Sequence, residues 1–394
     1  MKKVYLDNTA TTPVLPEVRY EMLPFLTESF GNPSCLHEWG DIPRDAMKKA
    51  REQIAGLIGA NPEEIIFTSS GTESNNMAVK GLAMAQQKKG KHVVVSAIEH
   101  FSVLNSAKTL EKMGFEFSMV PVDKYGVVNP EDVRKAIRDD TILVSIMHAN
   151  GEVGTIEPIK EIAQTTKEKG VLFHTDAVAT TGNIPVNVKE LGVDALSLAG
   201  NMFYGPKGAA ALWIKKGTRI LPLLDGGIQE GGRRAGTENV AGIVGMGKAA
   251  EMARVEMPAR MDKLTKVRDY LITELPAKIS HVIVTGHSQN RLPGHASFCV
   301  EFIEGESMLM LLNAKGVGVT SGSACTSRAL QASHVLLAMG LPHEIAQGSL
   351  LFGLGIDNTK EDIDYVLEVL PPIVERLRQM SPLYSKFIKQ NKGG

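Results

Sequence analysis

The sequence predicts an α/β fold, with a mostly parallel central sheet flanked by helices and followed by a smaller α+β region. Three observations carry this expectation. Short β-rich runs alternate with amphipathic stretches from about residue 43 to about residue 250, the pattern of βαβ crossovers. No repeat, low-complexity tract or linker rich in Pro, Gly or Ser divides the chain. From about Met261 the alternation gives way to a long helical stretch and then mixed elements.

The strands expected in the first region are Glu64–Thr68, His92–Ser96, Phe115–Val120, Thr141–His148, Val171–Thr175, Ala195–Leu198 and Ala209–Trp213. All are short apolar runs, suited to strands buried on both faces. Between them lie helical patterns at Pro43–Leu57, Ser74–Gln87, Asn129–Ile137 and Ile159–Lys169, with apolar residues spaced three and four apart. In the second region a helix over Met261–Leu275 leads into strands at Val282–Val284 and Ala296–Phe302. A helix at Met308–Ala314 and a closing helical run, Lys360–Met380, complete it. Two units are expected: residues 15–257 as the large α/β domain, and residues 1–14 with 258–394 as a smaller α+β domain carrying Cys325.

The 394 residues are 43% hydrophobic and 22% charged, ample for two buried cores. Forty-three Lys plus Arg against 44 Asp plus Glu give a formal charge of -1, which excludes the basic field of a nucleic-acid binder. The longest apolar runs, such as the one around Val93–Val95, fall far short of a membrane span. The start Met1-Lys2-Lys3 runs straight into Tyr5-Leu6-Asp7 without a signal-peptide core, so a cytoplasmic protein is expected. Three scattered cysteines, Cys35, Cys299 and Cys325, make neither a disulfide framework nor a zinc site, and no other metal-ligand spacing is present.

Three places carry residues suited to chemistry. Ser69-Ser70-Gly71-Thr72-Glu73-Ser74-Asn75-Asn76 follows a strand and opens a helix. There, free backbone N–H groups suit a phosphate, or Thr72 or Ser74 simply caps the helix. His174-Thr175-Asp176-Ala177 ends another strand, and His100 follows the His92–Ser96 strand. Ligands gather at such carboxyl ends, where Asp176 can hold a protonated pyridine nitrogen or cap the next element. Ser321-Gly322-Ser323-Ala324-Cys325-Thr326-Ser327 sets a cysteine among turn formers, as a nucleophile or sulfur carrier requires. Cys35 and Cys299 read instead as small buried hydrophobes.

Together with Leu6-Asp7-Asn8-Thr9-Ala10-Thr11-Thr12, Gly31-Asn32-Pro33-Ser34, Glu152-Val153-Gly154-Thr155, Tyr204-Gly205-Pro206-Lys207-Gly208 and Arg234-Ala235-Gly236-Thr237-Glu238-Asn239, these segments resemble the NifS/IscS-type cysteine desulfurases of the class-V aminotransferase fold. The resemblance runs along essentially the whole chain, and the stretch from Cys325 to His334 resembles the longer loop of that branch. It implies a fold-type-I transferase that works as a homodimer with pyridoxal phosphate (PLP) and takes sulfur from L-cysteine as a persulfide. An iron–sulfur scaffold or sulfur-acceptor protein would receive the sulfur. By this resemblance Cys325 is the nucleophile, His100 stacks on the cofactor ring and Asp176 pairs with its nitrogen. Thr72, beside Gly71, and the partner subunit's Thr237 bind the phosphate.

The chain departs from the family at several of these positions. The family's Schiff-base lysine, placed by the following Gly205-Pro206-Lys207-Gly208, is Met202, and Lys207 matches a second family lysine. The histidine and serine ahead of that lysine are Asn201 and Ala199. The asparagine at the cofactor's phenolic oxygen is Gly151, and the glutamine three residues after the pyridine aspartate is Ala179. The arginine that grips the substrate carboxylate is Leu351. A lost proton-transfer group costs about 10²–10⁴ in rate. A lost charge-assisted contact costs about 1.5–3 kcal/mol. The expectation is a desulfurase homologue that handles sulfur on Cys325 without covalent PLP. Two alternatives stand beside it: a non-catalytic homodimeric scaffold or iron–sulfur ligand donor, and an enzyme with another substrate in a remodelled apolar pocket.

Overall fold

In a computed structural model, which describes residues 2–322 and 332–391, a seven-stranded sheet organises the first two-thirds of the chain. Its strands are β1 (Ile65–Thr68), β2 (His92–Ser96), β3 (Glu116–Val120), β4 (Thr141–Ser145), β5 (Leu172–Asp176), β6 (Ala195–Ala199) and β7 (Ala210–Ile214). Their spatial order is β1-β7-β6-β5-β4-β2-β3. Strands β3, β2, β4, β5 and β6 run parallel, while β7 pairs antiparallel with both β6 and β1. Every residue of β2, β4, β6 and β7 is buried, as expected of Val-, Ile- and Ala-rich strands covered on both faces.

The expected elements form with shifted ends. The helix expected from Pro43 begins earlier, as α1 (Glu38–Ile58), and ends on Gly59 in the left-handed conformation. The one expected from Ser74 starts at Gly71, as α2 (Gly71–Asn76), and passes through a π turn at Met77–Gly81. Strand β4 stops at Ser145 rather than His148. Beyond that point the ladder to β2 ends while bonding along β5 continues, through Ile146 N to His174 O and His148 N to Asp176 O. Lys360–Met380 and Ile159–Lys169 form with the expected ends.

The largest correction concerns the helix expected to begin at Met261. It is the second half of a 39-residue helix, Val240–Lys278, capped by the Asn239 side chain on Gly242 N. Its first half packs against α1 in the apolar cluster under the large sheet, and its second half supplies Leu264, Leu271 and Leu275 to a separate cluster. That second cluster packs on an antiparallel sheet of β8 (Val282–Val284), β9 (His295–Val300) and β10 (Ser349–Gly353), in the order β10-β9-β8. The N-terminal strand Val4–Tyr5 pairs with Val317–Gly318 and so joins the same region. Among the described residues no helix is long and apolar enough to cross a membrane.

Candidate functional site

Because β2, β4, β5 and β6 are parallel, their carboxyl ends share one edge of the sheet; β1 points the same way through its antiparallel partner β7. This geometry gathers residues far apart in sequence. Asp176, the last residue of β5, is buried. Its Oδ1 accepts from Val178 N at 2.9 Å and its Oδ2 from Asn75 Nδ2 at 2.6 Å. Asn75 Nδ2 also donates to Ser102 Oγ at 2.9 Å, and Ser102 Oγ lies 2.7 Å from His100 Nδ1. Ser102 N donates to the same His100 nitrogen at 3.1 Å, so Nδ1 is the acceptor and a neutral ring carries its proton on Nε2. His100 caps the helix Phe101–Lys112 and its ring is exposed. Asp176 and His100 are thus joined through Asn75, which stands in the quoted 69–76 stretch without an assigned role, and Ser102, which the sequence reading missed. Burial pushes the Asp176 carboxyl upward against the pull of His100.

Beside this network lie three buried carboxyls. Glu99 accepts from Ser96 Oγ at 2.5 Å and Met147 N at 2.8 Å, and burial pushes it up to about 8. Glu157 accepts from Val128 N at 2.8 Å and is likewise pushed up to about 8. Glu152 accepts from Ser333 Oγ at 2.6 Å and is raised to about 7. Cys299, on β9, is buried and free, and its thiol is pushed up to about 12, consistent with an inert core residue. Cys35 is free and half-buried. Cys325, the expected nucleophile, lies outside the described residues.

At the start of α2 the cap is Ser70, whose Oγ accepts from Glu73 N at 3.1 Å, and not Thr72 or Ser74. Ser74 Oγ instead meets Thr68 Oγ1 at 2.7 Å, while Thr72 is exposed at the mouth of the turn. Glu73 receives Ser69 N at 2.8 Å and Arg234 Nε at 2.9 Å, which ties the 234–239 loop to this helix. Thr237, three residues beyond Arg234, is exposed. Val178 crowds the turn: its Cγ2 sits 2.6 Å from where a Cβ on Gly71 would stand.

The chain leaves β6 through a 3₁₀ turn, Gly200–Met202, held by Asn183 Nδ2 on Met202 O at 3.2 Å and Asn201 Nδ2 on Met202 Sδ at 3.6 Å. Met202 lines a small cleft with Ala179, Leu264, Leu292, His295 and Leu354. Lys207 is exposed. Leu351, the position of the family's arginine, is buried in β10 opposite Ser297. Among the described residues nothing lies within 4 Å of a would-be Cβ on Gly151. Asp176 can still hold a ring nitrogen. By the resemblance the imine position is Met202, whose thioether cannot form a Schiff base, so the residues do not fit a Schiff-base PLP. Another group missed in sequence is His295, because one histidine ahead of an apolar strand carries no local signal.

Residues 4–366 match the family model described as aminotransferase class-V. The chain is 55% identical over 391 residues to cysteine desulfurase IscS of Dictyoglomus turgidum, covering 99% of both chains. It is also 55% identical over 385 residues to cysteine desulfurase IscS of Methanosarcina thermophila, covering 98% of this chain and 95% of that one. Among solved structures, a NifS-like protein superposes with a TM-score of 0.90 at 39% identity, covering 95% of this chain and all of that one. A NifS-like protein from Rickettsia africae gives a TM-score of 0.86 at 30% identity, covering 95% of this chain and 100% of that one. This protein is therefore a member of the class-V aminotransferase family, in the group of IscS- and NifS-type cysteine desulfurases.

Proposed function

We propose that this protein mobilises sulfur as a persulfide on Cys325 and passes it to an iron–sulfur scaffold or other sulfur-acceptor protein in the cytoplasm, without Schiff-base PLP. The observation that carries the reading is Met202, a thioether at the imine position of a chain that otherwise keeps its family's architecture along its full length. Cys325 thiolate attacks the outer sulfur of a donor persulfide. The donor's S–S bond breaks, its inner sulfur departs as a thiolate that takes up a proton, and Cys325 keeps the transferred sulfur. Both sulfur pairs stay at the same total oxidation level, so no separate oxidant is needed. Asp176, His100, Asn75 and Ser102 form the polar floor of the pocket in this reading, with Thr72 and the partner subunit's Thr237 at its rim.

The test is mass spectrometry of the protein after exposure to cysteine persulfide. One added sulfur on the Cys325 peptide, absent in Cys325→Ala, is the expected result; an unmodified peptide overturns the reading. Cys325→Ala that still supports a sulfur-requiring pathway favours the scaffold alternative instead. A homodimer is part of the proposal. Phe30, Leu36, Trp39 and Ile42 are exposed at 69%, 98%, 61% and 52%, too much apolar surface in one N-terminal segment for a chain that works alone. Phe30→Asp with Leu36→Asp is expected to shift the molar mass in light scattering from dimer to monomer.

A further inference from the structure

Glu152 lies outside the hydrogen-bond chain of Asp176 and His100, yet its carboxyl meets described residues on both sides of Cys325 in the sequence. The turn that presents it is fixed from behind. Asn150 Oδ1 accepts from Glu152 N at 2.9 Å and from Val153 N at 3.0 Å, while Asn150 Nδ2 donates to Ile98 O at 3.0 Å. On that mount the two carboxyl oxygens face different parts of the chain. Oε2 accepts from Ser333 Oγ at 2.6 Å. Oε1 is buried, completes no hydrogen bond among the described residues, and lies against Gly322, where a Cβ would overlap it.

Gly322 serves this close approach and not its own backbone. Its φ is not left-handed, so only the carboxyl stands in the way of a side chain there. Gly322 N donates to Ser349 Oγ at 3.2 Å, which fixes it on β10. The other side is seated as firmly. Ser333 Oγ accepts from Val335 N at 3.2 Å and Leu336 N at 3.3 Å, and both residues pack with Met147, Val153 and Cys299 in one apolar cluster. His334 Nε2 lies 3.0 Å from Glu99 O, with its ring 4.6 Å from that of Phe101. Glu99 and Phe101 are the sequence neighbours of His100.

A carboxyl held by one hydroxyl beside an apolar cluster costs more to bury than an apolar side chain of the same volume. Its placement between Gly322 and Ser333 gives that cost a purpose. Resting on the reading in which Cys325 carries sulfur, we propose that Glu152 is a positioning residue. Its carboxyl ties Gly322 to Ser333 and so sets where Cys325, between them in the chain, meets a bound sulfur donor.

The experiment follows persulfide formation on Cys325 of the full chain against cysteine persulfide concentration, by mass spectrometry of quenched samples. Glu152→Ala should lower the maximal rate about ten- to hundredfold and leave the half-saturating concentration nearly unchanged. Glu152→Gln, which keeps the shape and an acceptor for Ser333, should restore most of the rate. Gly322→Ala displaces the carboxyl from the other side and covers the case in which Glu152→Ala does not fold. It should cause a similar loss, and the two substitutions together should cost no more than one. Hydrogen exchange reads the tie without sulfur chemistry: the amides of Gly322, Val335 and Leu336 should exchange faster in Glu152→Ala and not in Glu152→Gln. An unchanged maximal rate in folded Glu152→Ala, a change confined to the half-saturating concentration, or unchanged exchange at those amides each overturns the inference. A chain that never forms the persulfide overturns the sulfur reading instead, and the exchange measurement then still decides whether Glu152 makes the tie.

Discussion

The resemblance to the cysteine desulfurases puts Met202 where that family has its Schiff-base lysine. Methionine has no nitrogen to form an imine and none to carry a proton, whatever its surroundings. By the same resemblance Ala199, Asn201, Gly151, Ala179 and Leu351 also stand where the family has other side chains. Met202→Lys alone is therefore expected not to restore desulfuration. With Leu351 in the arginine's place, one charge-assisted contact worth about 1.5–3 kcal/mol is missing, so alanine release from L-cysteine should stay at least about tenfold below an active relative. A substitution that brought full alanine release would show that Met202 was the whole difference. Asp176 and His100 stood out in sequence because one ends a strand and the other shortly follows one. The link between them through Asn75 and Ser102 did not, since a hydrogen bond between residues 27 apart leaves no local trace.

The strands and helices obey patterns that the sequence displays openly, and their ends shift where caps and neighbours intervene. Helix α2 begins at Gly71 because Ser70 can turn its hydroxyl onto Glu73 N, a choice between several adjacent hydroxyl residues that spacing alone leaves open. The helix Val240–Lys278 runs past the change of pattern near residue 261 because its two halves bury their apolar faces in different clusters. The division expected at 257/258 falls within this one continuous helix, with no linker there. The central strands are also stitched by a buried histidine. His174, on β5, meets Ser145 Oγ of β4 at 2.8 Å and Ser197 Oγ of β6 at 2.9 Å. His174→Leu should orphan both hydroxyls at about 1–3 kcal/mol each, lowering the thermal midpoint without changing the fold seen by circular dichroism. An unchanged midpoint would mean that the two serines find other partners.

Over the whole molecule, buried titratable groups set how stability varies with pH. His148, His174 and His295 are held by burial near 4, 3 and 3. An unfolded histidine titrates near 6.5, so their contribution is present above that pH and is lost as pH falls through the folded values. Glu99, Glu157 and Glu152 are raised to about 8, 8 and 7. Their unfolded values lie near 4.3, so their contribution is present below that and is lost as pH rises toward 8. Between about 4.3 and 6.5 the two slopes oppose one another; above 6.5 only the carboxyls act. Thermal unfolding followed from pH 4 to 9 should show its maximum on the acidic side of neutrality, and Glu99→Gln should flatten the decline between about 6.5 and 8. A maximum above pH 8 would contradict this balance.

The sequence alone determined the class of fold and most of its elements, because burial on both faces of a parallel sheet demands continuous apolar runs and helices demand their own period. It also determined the family, since ordered motifs along the whole chain identify it without coordinates. Only the tertiary structure decided which hydroxyl caps α2, that Asp176 reaches His100 through Asn75 and Ser102, and that His295 lines one cleft with Met202. Those are relations between residues distant in the chain, created when parallel strands bring their ends to one edge and two apolar clusters close on a shared helix.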